Sequence, residues 1–345
     1  MTTSVSKSSL GRILVAALAP VLFLFSNTPA SGQGNRVVVR MASLAPANSP
    51  WHDALMVMRE RWREASNGKV ILQVIPSAQG GEEEDVLRKM KYGQFQAGTF
   101  TLAGLQNLTP ACVVLAIPTL AETQEDLHRI RAAVGPELER VFKEKGYVLL
   151  HWADLGWMRF FVPDPDPSPA AVAGHTYVQW GDDSMSRIWR SVGFRPGVRL
   201  NLADITVGLQ NGQVEAINSA PLVVAGYQWF SYLPYMIDIP WAPLSGATLI
   251  DLETWERIDE GLRPVLKQIA EEVGKEIQTS LLQWERDVIQ QMRDRAGVQV
   301  IRPPPEVLDE WRRLFERSWD LLRGDVIPEA WFDLAVRVGR EGRAR

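Results

Sequence analysis

Histidine is the side chain that most often serves as a general base or metal ligand, and this chain has four. His52, His128, His151 and His175 lie far apart, and no two are spaced to share a metal on one helical face. The chain also lacks phosphate-binding glycine loops, the His-Glu-x-x-His motif and the Gly-x-Ser-x-Gly elbow. We therefore predict structural histidines and no catalytic residue, metal or cofactor.

Two other reactive groups also have structural interpretations. The acidic run from Glu82 to Asp85 lacks the alternating oxygens and sharp glycine turn of a cation-binding loop. The same run is favourable in the first turn of a helix, where it faces the positive end of the helix dipole. Cys112 is the single cysteine and lies in an apolar run. We expect it to pack in a core.

The first 32 residues have the layout of a cleaved secretion signal. Lys7 and Arg12 precede an apolar run over residues 13–25, and small residues follow near Ala30. The run is shorter than the roughly 20 residues that a membrane-spanning helix needs. No cysteine lies near the cleavage region to carry a lipid. The sequence therefore predicts an exported, unanchored protein of the periplasm.

Charge excludes two classes of partner. Without residues 1–32 the chain keeps 35 basic and 41 acidic side chains. Nucleic acids and anionic membranes both reward a basic face. The sequence therefore predicts neither as a partner, and a small molecule is the partner we expect.

Strands and helices alternate in the first half of the chain. Residues 36–44 and 70–75 predict strands, and the helix between them begins at Ser49-Pro50. A helix from residue 82 and a strand over 95–101 follow. Next come a helix over 124–145, broken near Gly135-Pro136, and a strand over 147–152. This order predicts a parallel sheet with helices on its faces.

A proline-rich connector, residues 163–169, divides the chain. A strand over 176–180 is predicted beyond it, and residues 262–295 predict one helix of about 50 Å. The chain is too long for a single core, so we predict two α/β lobes joined by a hinge, with the long helix spanning both. The expected boundaries are a signal over 1–32, lobe I over 33–157, lobe II over 158–242, and a return to lobe I over 243–345, which holds the long helix and the C-terminal helices.

Several segments resemble the solute-binding proteins of tripartite ATP-independent periplasmic (TRAP) transporters, the DctP-type family. In family order they are Asn67 to Val70 with Pro76 to Gly81, Lys91 to Phe95, Ile117 to Leu120, Leu209 to Glu215, and Trp255 to Pro264. No single segment is specific to the family, but the occurrence of all of them in the family order is. The resemblance implies a type II periplasmic-binding-protein fold. It also implies a membrane permease with a small (DctQ-type) and a large (DctM-type) subunit, driven by an ion gradient.

This chain departs from the carboxylate site that the resemblance implies. Acid-binding members of the family use an Arg where this chain has Val178, a second Arg that matches Arg159, and an Asn where it has Ala220. A guanidinium fork binds both oxygens of a carboxylate, and Val cannot. Half of the family's clamp is therefore missing.

Aromatic residues surround these positions, so we predict a cleft more apolar than that of the acid-binding members. Two structural alternatives stay open: the rings would brace lobe II, and Arg159 would pair with an acid such as Asp154 or Asp182. The residues expected to contact the ligand are Arg159, Trp180, Trp157, Tyr177, Gln179, Ser219, Trp241 and Glu83.

The predicted function is capture of a small organic solute, either a carboxylate or a more apolar molecule, for uptake. An exported two-lobed hydrolase or isomerase is the alternative. A histidine within hydrogen-bond reach of a Ser, Cys or carboxylate in the cleft would favour that alternative.

Overall fold

The computed structural model describes residues 36–181 and 183–341, without the side chain of Ser184. The predicted signal over 1–32 and Asp182 lie outside the described residues. Of the helices in the described part, none combines the length and the apolar character needed to cross a bilayer.

The strands of the described residues form one mixed sheet. They are β1 (Val37–Ala42), β2 (Val70–Ile75), β3 (Ala97–Thr101), β4 (Tyr147–Val162), β5 (Ile217–Ser219), β6 (Tyr235–Asp251) and β7 (Gln299–Ile301).

The helices pack on both faces of that sheet. They are α1 (Pro50–Ala65), α2 (Glu83–Lys91), α3 (Leu102–Leu105), α4 (Gln124–Glu144), α5 (Pro169–Ala173), α6 (Asp183–Ser191), α7 (Ile205–Gln210), α8 (Pro221–Gly226), α9 (Leu252–Arg257), α10 (Arg263–Ala296), α11 (Pro305–Arg317), α12 (Trp319–Leu322) and α13 (Glu329–Glu341). Short 3-10 helices cover Pro110–Ala116, Leu202–Asp204 and Trp229–Ser231.

The sheet has the order β2-β1-β3-β6-β4-β5, and β7 also pairs with β6. β1 is parallel to β2 and β3, as predicted. β6 is antiparallel to β3 and β4, and β4 is antiparallel to β5. The prediction of a wholly parallel sheet is therefore wrong, because the chain returns through β6 against the direction of its neighbours.

Two unusually long strands, β4 and β6, connect the two ends of the sheet. The sequence predicted that β4 ends at Trp152, but the strand continues to Val162. Its pairing with β6 shifts register between Asp154 and Trp157. Gly156 lies inside that shift with φ of 107°, a backbone conformation that favours glycine. The pairing also shifts register between Leu149 and His151 and between Met158 and Phe160, and irregularities of this kind bend a strand pair.

Buried side chains form separate apolar clusters at the two ends of this strand pair. Met58, Trp62 and Leu150 belong to one end, which is lobe I, and Phe160 and Trp229 belong to the other, which is lobe II. The predicted α/β fold with two lobes is confirmed.

The long helix α10 spans both lobes, as predicted. Its Ile269 and Val273 pack in a lobe I cluster, and its Met292 packs in a lobe II cluster. Its 34 residues correspond to a length of about 50 Å. Gly274, within the helix, lies where a Cβ would be 2.9 Å from Nδ1 of His151 on β4. The helix and the strand therefore approach closely at this position.

Three local predictions need correction. α4 runs without a break through Pro136, because Val134 and Leu138 on either side are anchored in the core. The predicted strand over 176–180 is reduced to isolated bridges, since Tyr177 pairs with Ala216 whereas Val178 pairs with Val198.

The third correction concerns residues 243–345, which do not all return to lobe I. Trp311 and Phe315 of α11 pack in a lobe II cluster. Phe332 and Ala335 of α13 pack in a lobe I cluster. The C-terminal helices therefore cover both lobes, because each has an apolar face complementary to a different core.

Candidate functional site

The two lobes meet through hydrogen bonds that join them directly. The backbone N–H of Leu202 donates to Oε1 of Glu82 at 2.9 Å, and the Tyr227 hydroxyl donates to the carbonyl of Leu44 at 2.7 Å. Burial, and secondarily the charges of Glu82 and Glu83, raise the pKa of Tyr227 to about 12. The structure is therefore a closed one, with lobe II residues in contact with lobe I.

Lobe II contributes a hollow beside this junction. It is lined by Tyr177, Val178, Gln179, Trp180, Ser186, Trp189, Phe194, Arg195, Gly197 and Asn218. The space open to the centre of a water molecule is about 30 Å³. That is room for about two waters. Pockets that hold small organic ligands are typically ten or more times larger. In this structure the hollow is therefore too small to hold an organic solute.

Three polar side chains of this wall have buried atoms without a hydrogen-bond partner: Nε2 of Gln179, Oγ of Ser186 and Oδ1 of Asn218. Asn218 is only 6% exposed. Buried polar atoms are almost always hydrogen-bonded, so three that share one hollow indicate a place where a partner binds. The Trp180 indole donates from Nε1 to the carbonyl of Asn218 at 3.1 Å, which fixes its ring beside them.

Lobe I contributes a carboxyl group, Glu83, at the start of α2. Glu83 lines a narrow recess with Ser43, Gly80 and Thr99. The Thr101 hydroxyl donates to Oε2 of Glu83 at 2.9 Å, and the Thr101 N–H donates to Oε1. Burial raises the pKa of Glu83 to about 7, and these hydrogen bonds oppose part of that rise. Glu83 is therefore poised to change its charge near neutral pH.

Arg159, the predicted anchor for a carboxylate, is already paired with two acids of the protein. Its Nε lies 2.7 Å from Oδ1 of Asp238, and one terminal nitrogen lies 2.8 Å from Oε1 of Glu285. The same nitrogen donates to the carbonyl of Trp157 at 3.1 Å. Arg159 therefore forms ion pairs, as the sequence allowed, but with Asp238 and Glu285 instead of Asp154 or Asp182.

Asp154 has a different partner, Arg131 of α4, with which it forms a buried ion pair. Burial alone would raise the pKa of Asp154. The Arg131 guanidinium, with hydrogen bonds from Ser245 and Gln124, outweighs burial and lowers that pKa. Each of the two buried arginines of the described chain, Arg131 and Arg159, is thus matched by carboxylate.

The predicted aromatic residues divide between the hollow and the core. Trp180 lines the hollow, and so does Tyr177, whose hydroxyl donates to the carbonyl of Val172 inside lobe II. Trp157 is buried and donates from its indole to the carbonyl of Ala121. Trp241 stacks on Phe315 at 5.5 Å and braces lobe II. The contacts of Trp157 and Trp241 are therefore those expected of rings that brace the protein, which was the alternative to ligand binding.

The remaining predicted residues, Gln179, Glu83 and Ser219, lie in three different places. Gln179 lines the lobe II hollow, and Glu83 lines the lobe I recess. Ser219 is buried on β5 and pairs in register with Arg159 on β4.

Residues 41–324 match the sequence profile of the DctP family, described as bacterial extracellular solute-binding protein, family 7. This match covers most of the chain. The chain belongs to the DctP family.

Similar DctP-family sequences and related solute-binding proteins are distant in identity. The C4-dicarboxylate-binding periplasmic protein DctP of Vibrio cholerae is 20% identical over 302 residues, 87% of this chain and 90% of that protein. A solute-binding protein of Chromohalobacter salexigens is 23% identical over 256 residues, 71% of this chain and 73% of that protein. The match to a solute-binding protein of Roseobacter denitrificans, 23% identical over 58% of this chain, spans 62% of that protein.

Solved structures share the fold over nearly their whole length. A TRAP periplasmic solute-binding protein of Shewanella oneidensis with bound succinate has a TM-score of 0.82 at 16% identity, covering 88% of this chain and 99% of that one. One from Desulfovibrio salexigens with bound orotic acid has a TM-score of 0.81 at 18% identity, covering 90% and 99%. At these identities the likeness shows the fold.

Three histidines of this DctP-family chain contact residues that do not line the hollow. Nδ1 of His151 lies 3.0 Å from the carbonyl of Trp152, and burial lowers the pKa of this histidine. His128 contacts Gln124, and His175 pairs with Asp164 of the proline-rich connector. Within the described residues no three His, Cys, Asp or Glu side chains are grouped as metal ligands.

Four residues that the structure makes important were not predicted from the sequence. Ser186, Trp189 and Asn218 line the hollow, and Glu285 of α10 pairs with Arg159. A signal for Glu285 was present, because it falls in the apolar stripe of α10 between Leu281 and Met292. A charged residue in such a stripe is rarely buried unless it has a partner. No comparable signal marks Ser186 or Asn218, whose roles depend on tertiary contacts.

Proposed function

We propose that this chain captures a small organic solute between its two lobes and delivers it, chemically unchanged, to a TRAP permease. The observation that carries the proposal is the lobe II wall, where Gln179, Ser186 and Asn218 present buried atoms without partners beside Trp180. Hydrogen-bonding groups with an aromatic wall suit reversible binding. Family membership and the two-lobed fold support the same conclusion.

In the proposed cycle the lobes separate about the register shift near Gly156, the solute binds to lobe II, and the lobes close. The hydrogen bonds from Leu202 to Glu82 and from Tyr227 to Leu44 then hold the closed form. Closure of two lobes around a ligand is an established mode of hinge motion. The proposed lobe boundaries remain 33–157 and 158–242.

The proposed partners are a DctQ-type small subunit and a DctM-type large subunit of a membrane permease. The proposed location is the periplasm, reached through the signal over 1–32. The geometry of the hollow favours binding over the hydrolase or isomerase alternative, because no described histidine contacts its polar groups.

The test uses the purified chain without residues 1–32 and a library of small organic solutes. A true ligand should raise the unfolding free energy by about 2.7 kcal/mol at 100 times its dissociation constant. It should also change the tryptophan fluorescence, because Trp180 and Trp189 line the site. Chemical turnover of a bound solute would contradict the proposal. Reconstituted permease vesicles should accumulate the solute only when the protein is present.

A further inference from the structure

The guanidinium of Arg159 is already paired with carboxylates of the protein, so it does not require a carboxylate of the ligand. Asp238 and Glu285 bind it from two sides, at 2.7 and 2.8 Å. Arg302 also approaches Asp238 at 3.8 Å, but its side chain is 81% exposed. A third carboxylate at Arg159 would meet two negative charges already in place, the buried Glu285 and the partly exposed Asp238, which disfavours it.

The structure makes room for the internal carboxylate of Glu285 with small residues. A Cβ on Gly156 would lie 2.5 Å from Oε2 of Glu285 and 3.6 Å from Cβ of Ala220. Gly156 therefore borders both the carboxylate of Glu285, which is itself only 7% exposed, and the side chain of Ala220. Ala220 is also the residue that stands where acid-binding relatives are expected to have an Asn. The position where Ala220 replaces the expected Asn and the ion pair of Arg159 with Glu285 thus both lie beside Gly156.

Arg195 is the one charged residue among those that line the lobe II hollow, and the other lining residues are uncharged. Val178 stands where a second guanidinium is expected, and it is buried. The groups without partners are the amides of Gln179 and Asn218 and the hydroxyl of Ser186. Their atoms offer a donor from Gln179, an acceptor from Asn218 and a hydroxyl that serves as either. This set complements a molecule that carries a neighbouring acceptor and donor.

The charged groups near the hollow do not favour an acid either. Arg195 lines the rim and is exposed to water. It lies close enough to Glu215 to help lower the pKa of that acid, so part of its charge is already compensated. On lobe I, the ionisable groups nearest the junction include the carboxyl groups of Glu82, which bonds to Leu202, and of Glu83, which lines the lobe I recess.

We propose that the solute is an uncharged, planar, polar molecule, an amide, lactam or nitrogen heterocycle, held by Gln179, Ser186 and Asn218 against Trp180 or Trp189. This inference rests on the proposed function and names its substrate class. Amide-type ligands pair with both amide side chains, and flat rings stack on indole.

The test compares matched acids and amides on the purified chain. The pairs are succinate with succinamide and orotate with orotamide, and calorimetry measures each dissociation constant. Solute released from the protein as purified is identified by mass spectrometry. We expect the uncharged member of a pair to bind at least ten times more tightly than the acid, and the released solute to carry no carboxylate.

Variants then assign the binding to the hollow. Gln179→Glu places a carboxylate in the wall and should weaken binding of the uncharged solute at least tenfold. Gln213→Glu makes the same chemical change at an exposed position and should leave the affinity unchanged. Arg159→Met should leave the affinity within about threefold, provided that calorimetric unfolding shows a folded protein.

The outcomes separate the two proposals. Tighter binding of the acids, or a released carboxylic acid, overturns the inferred class while leaving solute capture intact. Equal effects of the two glutamate substitutions also overturn it. If no solute is released and no member of any pair or of the wider library binds, the proposed function itself fails.

Discussion

At the scale of single residues, the partners of Arg159 decide what it can do. In the sequence it is one arginine near aromatic residues, and a family position suggested that it holds a ligand. In the fold, Asp238 of β6 and Glu285 of α10 both reach its guanidinium. The charge that would attract an acid is therefore used inside the protein.

This ion-pair cluster predicts an asymmetry between two substitutions. Arg159→Met leaves the buried carboxylate of Glu285 and the partly exposed carboxylate of Asp238 without this cation, so we expect it to lower the free energy of unfolding by about 3–5 kcal/mol. Glu285→Gln keeps the pair with Asp238 and should cost less, about 1–3 kcal/mol. Urea unfolding measures both. Arg302→Met removes an exposed cation near the same acid and should change stability by no more than about 0.5 kcal/mol; a similar loss for all three would contradict the assignment.

A second prediction concerns the proton of Glu83. Its pKa is about 7 in the folded protein against an ordinary value of 4.5, so the folded form holds a proton that the unfolded form has released between these pH values. The contribution of Glu83 to stability is then fully present below pH 4.5 and is lost as the pH rises through 7. The slope is at most about 1.4 kcal/mol per pH unit.

Glu83→Gln removes this titration and serves as the reference. The unfolding free energy of the natural chain minus that of Glu83→Gln should fall between pH 4.5 and 7 and stay constant above that range. Thermal unfolding at a series of pH values measures the difference. Parallel curves would show that Glu83 has an ordinary pKa.

At the scale of elements, the approach of α10 to β4 depends on one glycine. Gly274 lies in the middle of a 34-residue helix, where glycine is unfavourable for helix formation. The structure supplies a reason, because a Cβ there would lie 2.9 Å from Nδ1 and 3.3 Å from Cβ of His151. Close packing between the spanning helix and the spanning strand thus outweighs helix propensity.

This contact predicts that Gly274→Ala destabilises the protein by about 1–3 kcal/mol, despite the better helix propensity of alanine. Gly226→Ala is the control, because a Cβ at the end of α8 would meet only Pro46 at 3.6 Å. That change should be neutral or stabilise by up to about 1 kcal/mol. Guanidinium unfolding of both variants measures the difference. A stabilised Gly274→Ala variant would show that the contact between α10 and β4 can accommodate a Cβ.

At the scale of the whole molecule, binding depends on how the lobes close. Two long strands and α10 run through both lobes, and the proposed cycle has the lobes move as bodies about the irregular segment near Gly156. The closed form is held by a few hydrogen bonds across the junction. Each such bond contributes about 0.5–1.5 kcal/mol, which is enough to alter the balance between open and closed forms.

Removing one of these bonds should weaken binding without unfolding either lobe. Tyr227→Phe loses the hydrogen bond to Leu44 of lobe I, so we expect the dissociation constant for the solute to rise by about two- to tenfold. Tyr232→Phe is the matched control, because the Tyr232 hydroxyl accepts from Gln210 within lobe II. Calorimetry measures the affinities, and small-angle scattering measures the fraction of open form. Equal effects of the two changes would exclude closure as the cause.

The sequence by itself determined the class of the protein and most of its elements. Periodicity and cap residues predicted the first helix, the first strands and α10, because these signals act within a few turns of the chain. Motifs in a shared order indicated the family. Gln179 and Trp180 were placed in the site because they neighbour the position of Val178 in sequence.

Only the tertiary structure decided which charges and polar groups meet. β6 returns antiparallel between β3 and β4, which places Asp238 against Arg159, and α10 places Glu285 on its other side. These partners are 79 and more than 100 residues away from Arg159 along the chain. Trp157 and Trp241 were predicted to contact ligand, but packing placed them in buried contacts with the protein itself. Long-range pairing depends on sheet order and helix docking, which short-range patterns do not encode.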